Sequence, residues 1–495
     1  MDDVDATPSD RHVAWAVGGA RGRAPFERGP DVREARADRW ENEPTLPGLD
    51  DAAAATVSLE DALVVILEGD RPAAGSLRAP LAGIDRVTIG RAATRCIVVA
   101  SGQARLGVPD RWMSSRHAEL VRGARGWTIC DLGSRNGSAV NGAPTAQAQL
   151  QPGDLIELGH TMFRFTRDPE IARGVEPMRV AGSAEPLTYH PGLAQAVSLI
   201  YRLAPSTVPV MLHGETGTGK EVLARALHAA SGRTGPFIAL NCGALTPSLA
   251  EAELFGFRRG SFTGATEDRD GVIRAAQGGT LLLDEIAELS PTAQASLLRV
   301  LQEFEVVPIG GTRPVPVDVR IVTATHQQLD DRVARGLFRD DLLARLRGFE
   351  VTIPPLRERR MDLGLLCAAL LRRIAPASAD TLRFAPSMVR ALYAYAWPHN
   401  VRELEKALEM AVALARHGEV RLEHLPSHIR DNGATKASAR KPRISPQDSA
   451  LRDRMSALLT RHRGNLAAAA RAEGKAVVQI RRWLTRCDLD ANEFR

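Results

Sequence analysis

The octapeptide GETGTGKE, Gly214 to Glu221, follows the apolar run VPVMLH and precedes the helical run VLARALHAA. A strand, a glycine-rich turn and a helix in that order make a phosphate-binding loop. Glycines let successive backbone N–H groups turn inward onto phosphate oxygens, and the helix N-terminus adds positive potential. Gly214, Glu215, Thr216, Gly217, Thr218 and Gly219 are the expected cradle, and Lys220 is expected to reach the β- and γ-phosphates of ATP. The general pattern ends in Ser or Thr, a magnesium ligand, where this chain has Glu221. A second half of the site follows in GGTLLLDE, which ends an apolar strand on two adjacent carboxylates. Asp284 is expected to hold Mg2+, directly or through water, and Glu285 to polarise the attacking water.

Around this pair, VPVMLHG, GPFIALN, GTLLLDE and DVRIVTAT read as buried strands alternating with helices, the pattern of a largely parallel α/β sheet. The domain is expected over 186–430, with a helical lid from about Leu356. Upstream, 60–168 breaks into short β-like runs punctuated by Gly, Asn and Asp, which suits an all-β sandwich. Its expected strands include Arg86–Ile89, His117–Arg122, Trp127–Asp131 and Leu155–Phe165. Residues 1–59 are rich in Asp, Arg, Ala, Gly and Pro without a sustained period, and disorder is expected there. Linkers are expected at 169–185 and 431–447. The segment 448–495 reads as an all-α unit of three short helices.

The sequence has 495 residues and a net charge of +5, with apolar and charged fractions of a soluble globular protein. Its acidic start, MDDVDATPSD, does not read as a signal peptide, and no apolar run is long enough to cross a membrane. Cys96, Cys130, Cys242, Cys367 and Cys487 lie far apart, which argues against a zinc site or disulfide framework and suits a cytoplasmic location. From Lys436 onward there are 14 Lys or Arg against 6 Asp or Glu, so the charge gathers on the C-terminal segment and suggests nucleic acid.

Several further stretches resemble the AAA+ domain of sigma-54-dependent transcription activators, the bacterial enhancer-binding proteins. ELFGFRRGSFTGA (Glu253–Ala265) is similar to that family's GAFTGA loop. LLRVLQEFEVVPIGG, FRDDLLARL, PPLRER and WPHNVREL match it in order and spacing. In that family the phosphate loop ends in GKE, so Glu221 becomes a family mark. The resemblance implies that Thr325, with His326 beside it, is a sensor near the γ-phosphate and that Arg402 is a second sensor. Asn241 would be a switch restraining Glu285. Arg339 and Arg345 would be arginine fingers acting on a neighbour's nucleotide, which implies a homohexameric ring. The loop Gly260, Ser261, Phe262, Thr263, Gly264, Ala265 would touch sigma-54, with Ser261 where the family has Ala.

VTIGR, SSRH, DLGSRNGS and VNG, in order across Val87–Gly142, resemble a forkhead-associated (FHA) domain, which binds phosphothreonine. Arg91 would pair with a dianionic phosphate and Ser114 would donate its hydroxyl. Ser115 and Arg135 would assist, Asn136 would hold the peptide backbone, and His117 would brace the loops. The C-terminal segment resembles a Fis-type helix-turn-helix, with Asn465 capping its second helix and Gly474 at the turn. Lys475, Gln479, Arg481, Arg482 and Arg486 are its expected DNA contacts. The resemblance as a whole implies an ATP- and Mg2+-dependent activator of sigma-54 RNA polymerase, bound to upstream promoter DNA and governed by a phosphothreonine-containing protein. Two other readings stay open: a DNA-bound FHA-ATPase regulator acting without sigma-54, and a phosphopeptide adaptor with a vestigial ATPase.

Overall fold

Residues 59–169, 188–244, 246–262, 265–415, 418–431, 446–462, 465–474, 477 and 479–480 are described by a computed structural model. The expected disordered segment 1–59 lies outside these residues except for Leu59, as do nearly all of both expected linkers.

In the first domain, alternating apolar residues build two antiparallel-rich sheets face to face. One runs Leu77–Pro80, Leu59–Glu68, Thr161–Pro169, Leu155–Leu158, Ser138–Val140, Ala143–Thr145. The other runs Gln147–Gln149, Gly126–Asp131, Ala118–Gly123, Arg86–Arg91, Gln103–Val108, Cys96–Ala100. Leu63, Val65, Ile89, Leu120, Trp127, Phe163 and Phe165 fill the space between. The run expected as one strand over Leu155–Phe165 is two strands of a hairpin. Gly159 turns the chain at φ +60°, where a Cβ would stand 2.8 Å from the Asp110 carboxylate.

The strand Leu59–Glu68 departs from simple alternation. Ala62 to Leu67 are all fully buried. Leu63 and Val65 face the sandwich interior, while Val64, Ile66 and Leu67 belong to a second core shared with the C-terminal lid. A register shift between Val65 and Leu67 turns two successive residues toward that second core.

The α/β domain carries five parallel strands in the order Phe237–Asn241, Thr280–Asp284, Arg320–Thr325, Val210–His213, Phe349–Thr352. Both faces are covered, which is why the strands read as unbroken apolar runs. Leu281 and Leu283 point into one core with Leu254, Leu297 and Leu342. Leu282 points into the other, with Leu193, Leu223, Leu227 and Val322. Asn241, Asp284, Thr325, His213 and Thr352 therefore end on one edge of the sheet, where an open α/β sheet binds its ligand.

The lid packs helices Leu363–Ile374, Pro386–Ala394 and Asn400–Leu414 around Phe384, Leu392, Trp397, Leu404 and Leu408. A parallel pairing of Arg383–Phe384 with Glu419–Val420 interrupts the all-helical expectation. In the C-terminal segment, helices Pro446–Arg461 and Leu466–Ala472 enclose a small core of Met455, Leu458, Leu459, Ala469, Ala470 and Ile480. No helix among the described residues is long and apolar enough to cross a membrane.

Candidate functional site

The phosphate loop bridges the strand Val210–His213 and the helix Lys220–Ala230. Gly217 and Gly219 have φ of +80° and +102°, the left-handed turns that only glycine adopts without strain. Gly217 carries a second constraint, because a Cβ there would come within 2.4 Å of the His399 carbonyl oxygen in the lid. Lys220 is only 6% exposed, and its Nζ donates to the carbonyl oxygens of Gly214 at 2.8 Å and Glu215 at 3.4 Å. Thr218 is buried, and its hydroxyl donates to the Glu215 carbonyl oxygen at 2.8 Å. Glu221 lies outward instead, ion-paired with Arg225 one helical turn on at 2.6 Å.

Asp284 and Glu285 come to the loop from the neighbouring region of the sheet. Glu285 adopts φ +53°, unusual for a non-glycine residue, and such strain gathers where a side chain must be aimed. Its carboxylate stands 4.0 Å from Lys220 Nζ and 2.7 Å from His326 Nδ1. Burial raises the Asp284 carboxyl above its usual range; Lys220 opposes this and Glu285 reinforces it. Burial and the same two carboxylates push the Cys242 thiol up to about 12. The excess negative potential fits a divalent cation. Among the described residues no cluster of three or more His, Cys, Asp or Glu could cage one.

Thr325 is fully buried beside the loop, its carbonyl oxygen accepting from Gly214 N at 3.1 Å and its hydroxyl from Gln327 N at 3.0 Å. Asn241 pairs in register with Asp284, but its side chain accepts from Gly243 N at 2.9 Å. It is His326 that is bonded to Glu285. Arg339 is exposed and held bidentately by Asp341 at 2.9 and 2.7 Å; Arg345 is exposed on the following helix. The exposed Arg402 has its Cβ against Gly217.

Three lid residues at the loop are absent from the sequence reading. Asn400, fully buried at φ +57°, donates to Glu215 Oε2 and the Thr216 carbonyl oxygen, both at 3.1 Å, and accepts from Leu356 N at 2.8 Å. Arg357 makes a bidentate pair with Glu215 at 2.7 and 2.9 Å. Arg359, buried, donates to the Thr218 carbonyl oxygen at 2.5 Å. Arg357 and Arg359 lie in PPLRER and Asn400 in WPHNVREL, so the signal was present as a motif but not as a partner assignment.

On the loop Gly256–Ala265, Gly260 N donates to the Ala265 carbonyl oxygen at 2.9 Å, and Arg258 pairs with Asp268 at 2.7 Å. Phe262 is 45% exposed and packs edge-to-face on Phe257 at 4.9 Å. Ser261 Oγ is buried without a hydrogen-bond partner among the described residues. Thr263 and Gly264 lie outside the described residues.

In the sandwich, Arg91, Ser115, Arg135 and Asn136 are exposed around Ser114. Ser114 Oγ accepts from Arg135 N at 3.1 Å, and Asn136 Nδ2 donates to the Trp112 carbonyl oxygen at 2.7 Å. His117 is fully buried and braces this surface through Ser114 N at 3.1 Å and the Gly137 carbonyl oxygen at 3.0 Å. In the tail, Asn465 Oδ1 caps its helix by accepting from Ala468 N at 3.1 Å, Gly474 turns at φ +62°, and Gln479 is exposed. Lys475, Arg481, Arg482 and Arg486 lie outside the described residues.

Residues 187–352 match the sigma-54 interaction domain, 357–442 the AAA+ ATPase lid domain and 87–159 the FHA domain. The transcriptional regulatory protein ZraR of Salmonella typhi is 42% identical over 328 residues, 66% of this chain and 74% of that protein. The chain belongs to the sigma-54-activator family of transcriptional regulators. The hydrogenase transcriptional regulatory protein HoxA of Cupriavidus necator is 43% identical over 301 residues, 58% of this chain. The chain spans 62% of HoxA's length. NtrX from Brucella abortus, solved in complex with ADP, is 32% identical at a TM-score of 0.45, covering 60% of this chain and 68% of that one. In family terms the chain joins an FHA domain to an AAA+ ATPase domain and its lid.

Proposed function

We propose that this protein is a cytoplasmic, ATP-driven activator of sigma-54 RNA polymerase, regulated through its FHA domain by a phosphothreonine-containing protein. The observation that carries the reading is the convergence of Lys220, Asp284, Glu285 and Thr325 on one sheet edge, in a domain that also presents an exposed Phe262 on its signature loop.

Gly214–Glu221 cradles the nucleotide, and Lys220 leaves its carbonyl partners for the β- and γ-phosphates. Asp284 holds Mg2+, which would neutralise phosphate charge when bound. Glu285 takes the proton of the attacking water, with His326 orienting the carboxylate; Asn241 sits beside the pair as the switch. Thr325 and Arg402 sense the γ-phosphate. Arg339 and Arg345 reach into the neighbouring subunit's pocket of a homohexamer, where planar, permanently charged guanidinium suits a transferring phosphoryl group.

Hydrolysis drives Gly260–Ala265 against sigma-54, with Phe262 and Thr263 as the contact. Arg91, Ser114, Ser115, Arg135 and Asn136 hold the phosphothreonine. Lys475, Gln479, Arg481, Arg482 and Arg486 grip promoter DNA upstream. The test is transcription in vitro from a sigma-54 promoter, comparing the intact protein with Thr263→Ala. Retained ATPase with loss of open complexes supports the contact; undiminished transcription sinks it.

A further inference from the structure

The FHA sandwich lies against the lid along a continuous buried seam. Val64, Ile66, Leu67, Ala73 and Met162 of the sandwich share one core with lid residues that include Leu363, Cys367, Leu371, Phe384 and Met388. The approach leaves no slack. A Cβ on Gly364 of the lid helix would stand 1.8 Å from the Ile66 carbonyl oxygen. Phe384 N donates to the Gly69 carbonyl oxygen at 2.6 Å, and Arg372 to that of Ala73 at 2.8 Å. Arg390 pairs with Glu157 at 2.9 Å, and Arg164 donates to the Tyr393 hydroxyl at 3.1 Å.

Two bonded routes leave this seam. One runs to the phosphate loop. The Ser76 carbonyl oxygen accepts from the Tyr189 hydroxyl at 3.1 Å. The fully buried Asp362 accepts from Tyr189 N and the Thr188 hydroxyl, both at 2.6 Å. Arg359 faces Asp362 at 3.8 Å and donates to the Thr218 carbonyl oxygen in the loop. The other route runs to the peptide-binding surface. Gly69, whose carbonyl oxygen holds Phe384, donates its own N–H to the His160 carbonyl oxygen at 2.9 Å. The His160 ring stacks on Trp112 at 4.7 Å, and the Trp112 carbonyl oxygen is the acceptor for Asn136.

We propose that the FHA domain and the lid move as one body, so that phosphopeptide at the Arg91–Asn136 surface and nucleotide at the phosphate loop alter each other's affinity through the Ser76–Tyr189–Asp362–Arg359 route. This rests on the phosphothreonine reading of the FHA surface. The lid already touches the loop through Asn400, Arg357, Arg359 and Val401, whose N–H donates to the Gly217 carbonyl oxygen at 2.9 Å. A nucleotide that repositions the lid must therefore carry the sandwich with it. Packed seams of this kind shift between discrete arrangements rather than deform continuously. Linkage is reciprocal, so either ligand reports on the other.

The experiment uses the full chain with two probes: a fluorescent ADP analogue, and a fluorescein-labelled degenerate phosphothreonine peptide pool with its unphosphorylated form as control. Each dissociation constant is measured with and without saturating amounts of the other probe. The expected result is a mutual shift of about five-fold or more, within the range usual for coupled sites. In Tyr189→Phe, which removes the hydroxyl that bonds the Ser76 carbonyl oxygen, the shift falls below about two-fold, while both probes still bind and the melting temperature is retained. If both probes bind the parent and neither moves the other, the coupling is overturned. If Tyr189→Phe keeps the full shift, the assigned route is overturned. If the phosphorylated pool binds no better than its control, the phosphothreonine reading fails and takes this inference with it.

Discussion

Single residues at the phosphate loop show how tightly it is held. Glu215 is clamped by Arg357 and Asn400, whose hydrogen bonds, chiefly from Arg357, hold its carboxyl below the ordinary value of 4.5. A carboxyl depressed in the folded state contributes stability above its unfolded pKa and loses it as pH falls through the folded one. The melting temperature of the parent is therefore expected to fall more steeply than that of Glu215→Gln below pH 4.5; parallel pH profiles would rule the clamp out as a source of acid sensitivity. Ser261 presents the opposite case. Its buried hydroxyl has no partner among the described residues, and an unsatisfied buried hydroxyl costs about 1–3 kcal/mol. Ser261→Ala, which restores the residue usual in the family's loop, is expected to leave unfolding stability unchanged or raise it by up to about 1 kcal/mol in denaturant titration. A marked loss would mean that the hydroxyl has a role the static contacts do not reveal.

At the scale of elements, the strand Leu59–Glu68 contributes to two cores at once. Its run LVVIL is apolar without alternation, which is the pattern of a strand covered on both faces. Ile66→Ala is expected to destabilise by about 2–5 kcal/mol, the range for truncating a fully buried aliphatic residue. Because Ile66 packs in the lid's core, the loss should also appear as faster hydrogen exchange in the helix Leu363–Ile374. Exchange that rises only within the sandwich would show that the seam contributes little. The lid helix Asn400–Leu414 has a similar double duty. It buries Leu404, Leu408 and Ala411 on one side and delivers Asn400 to the loop at its first turn. Trp397 and Asn400 both adopt positive φ in the turn that makes this possible. Asn400 is held there by its side-chain bonds to Glu215, Thr216 and Leu356. Trp397 is held there by burial and by its indole N–H donating to the Leu392 carbonyl oxygen at 2.9 Å.

Across the whole molecule, the α/β sheet and the sandwich meet through the lid. Among the described residues, the sandwich shares a core with the lid, and the lid in turn touches the phosphate loop. Most of the architecture was legible in the order of residues. Local rules sufficed for it: period-two alternation for the sandwich, unbroken apolar runs for the parallel sheet, and a glycine-rich turn between strand and helix for the loop. The placement of Lys220, Asp284, Glu285 and Thr325 on one edge followed as well, because each ends a strand or begins a helix of a parallel sheet whose carboxyl ends coincide. Contacts between residues far apart in sequence were not legible. That His326 rather than Asn241 holds Glu285, that Arg359 reaches Thr218, and that Ile66 presses on Gly364 depend on side-chain directions and on a register shift. These are settled only when whole elements pack. Sequence alone thus determined which local structures form and which chemistry they carry. Tertiary structure decided which domain leans on which, because close packing of an already folded sandwich against an already folded lid has no local signature beyond a strand that is apolar on both faces.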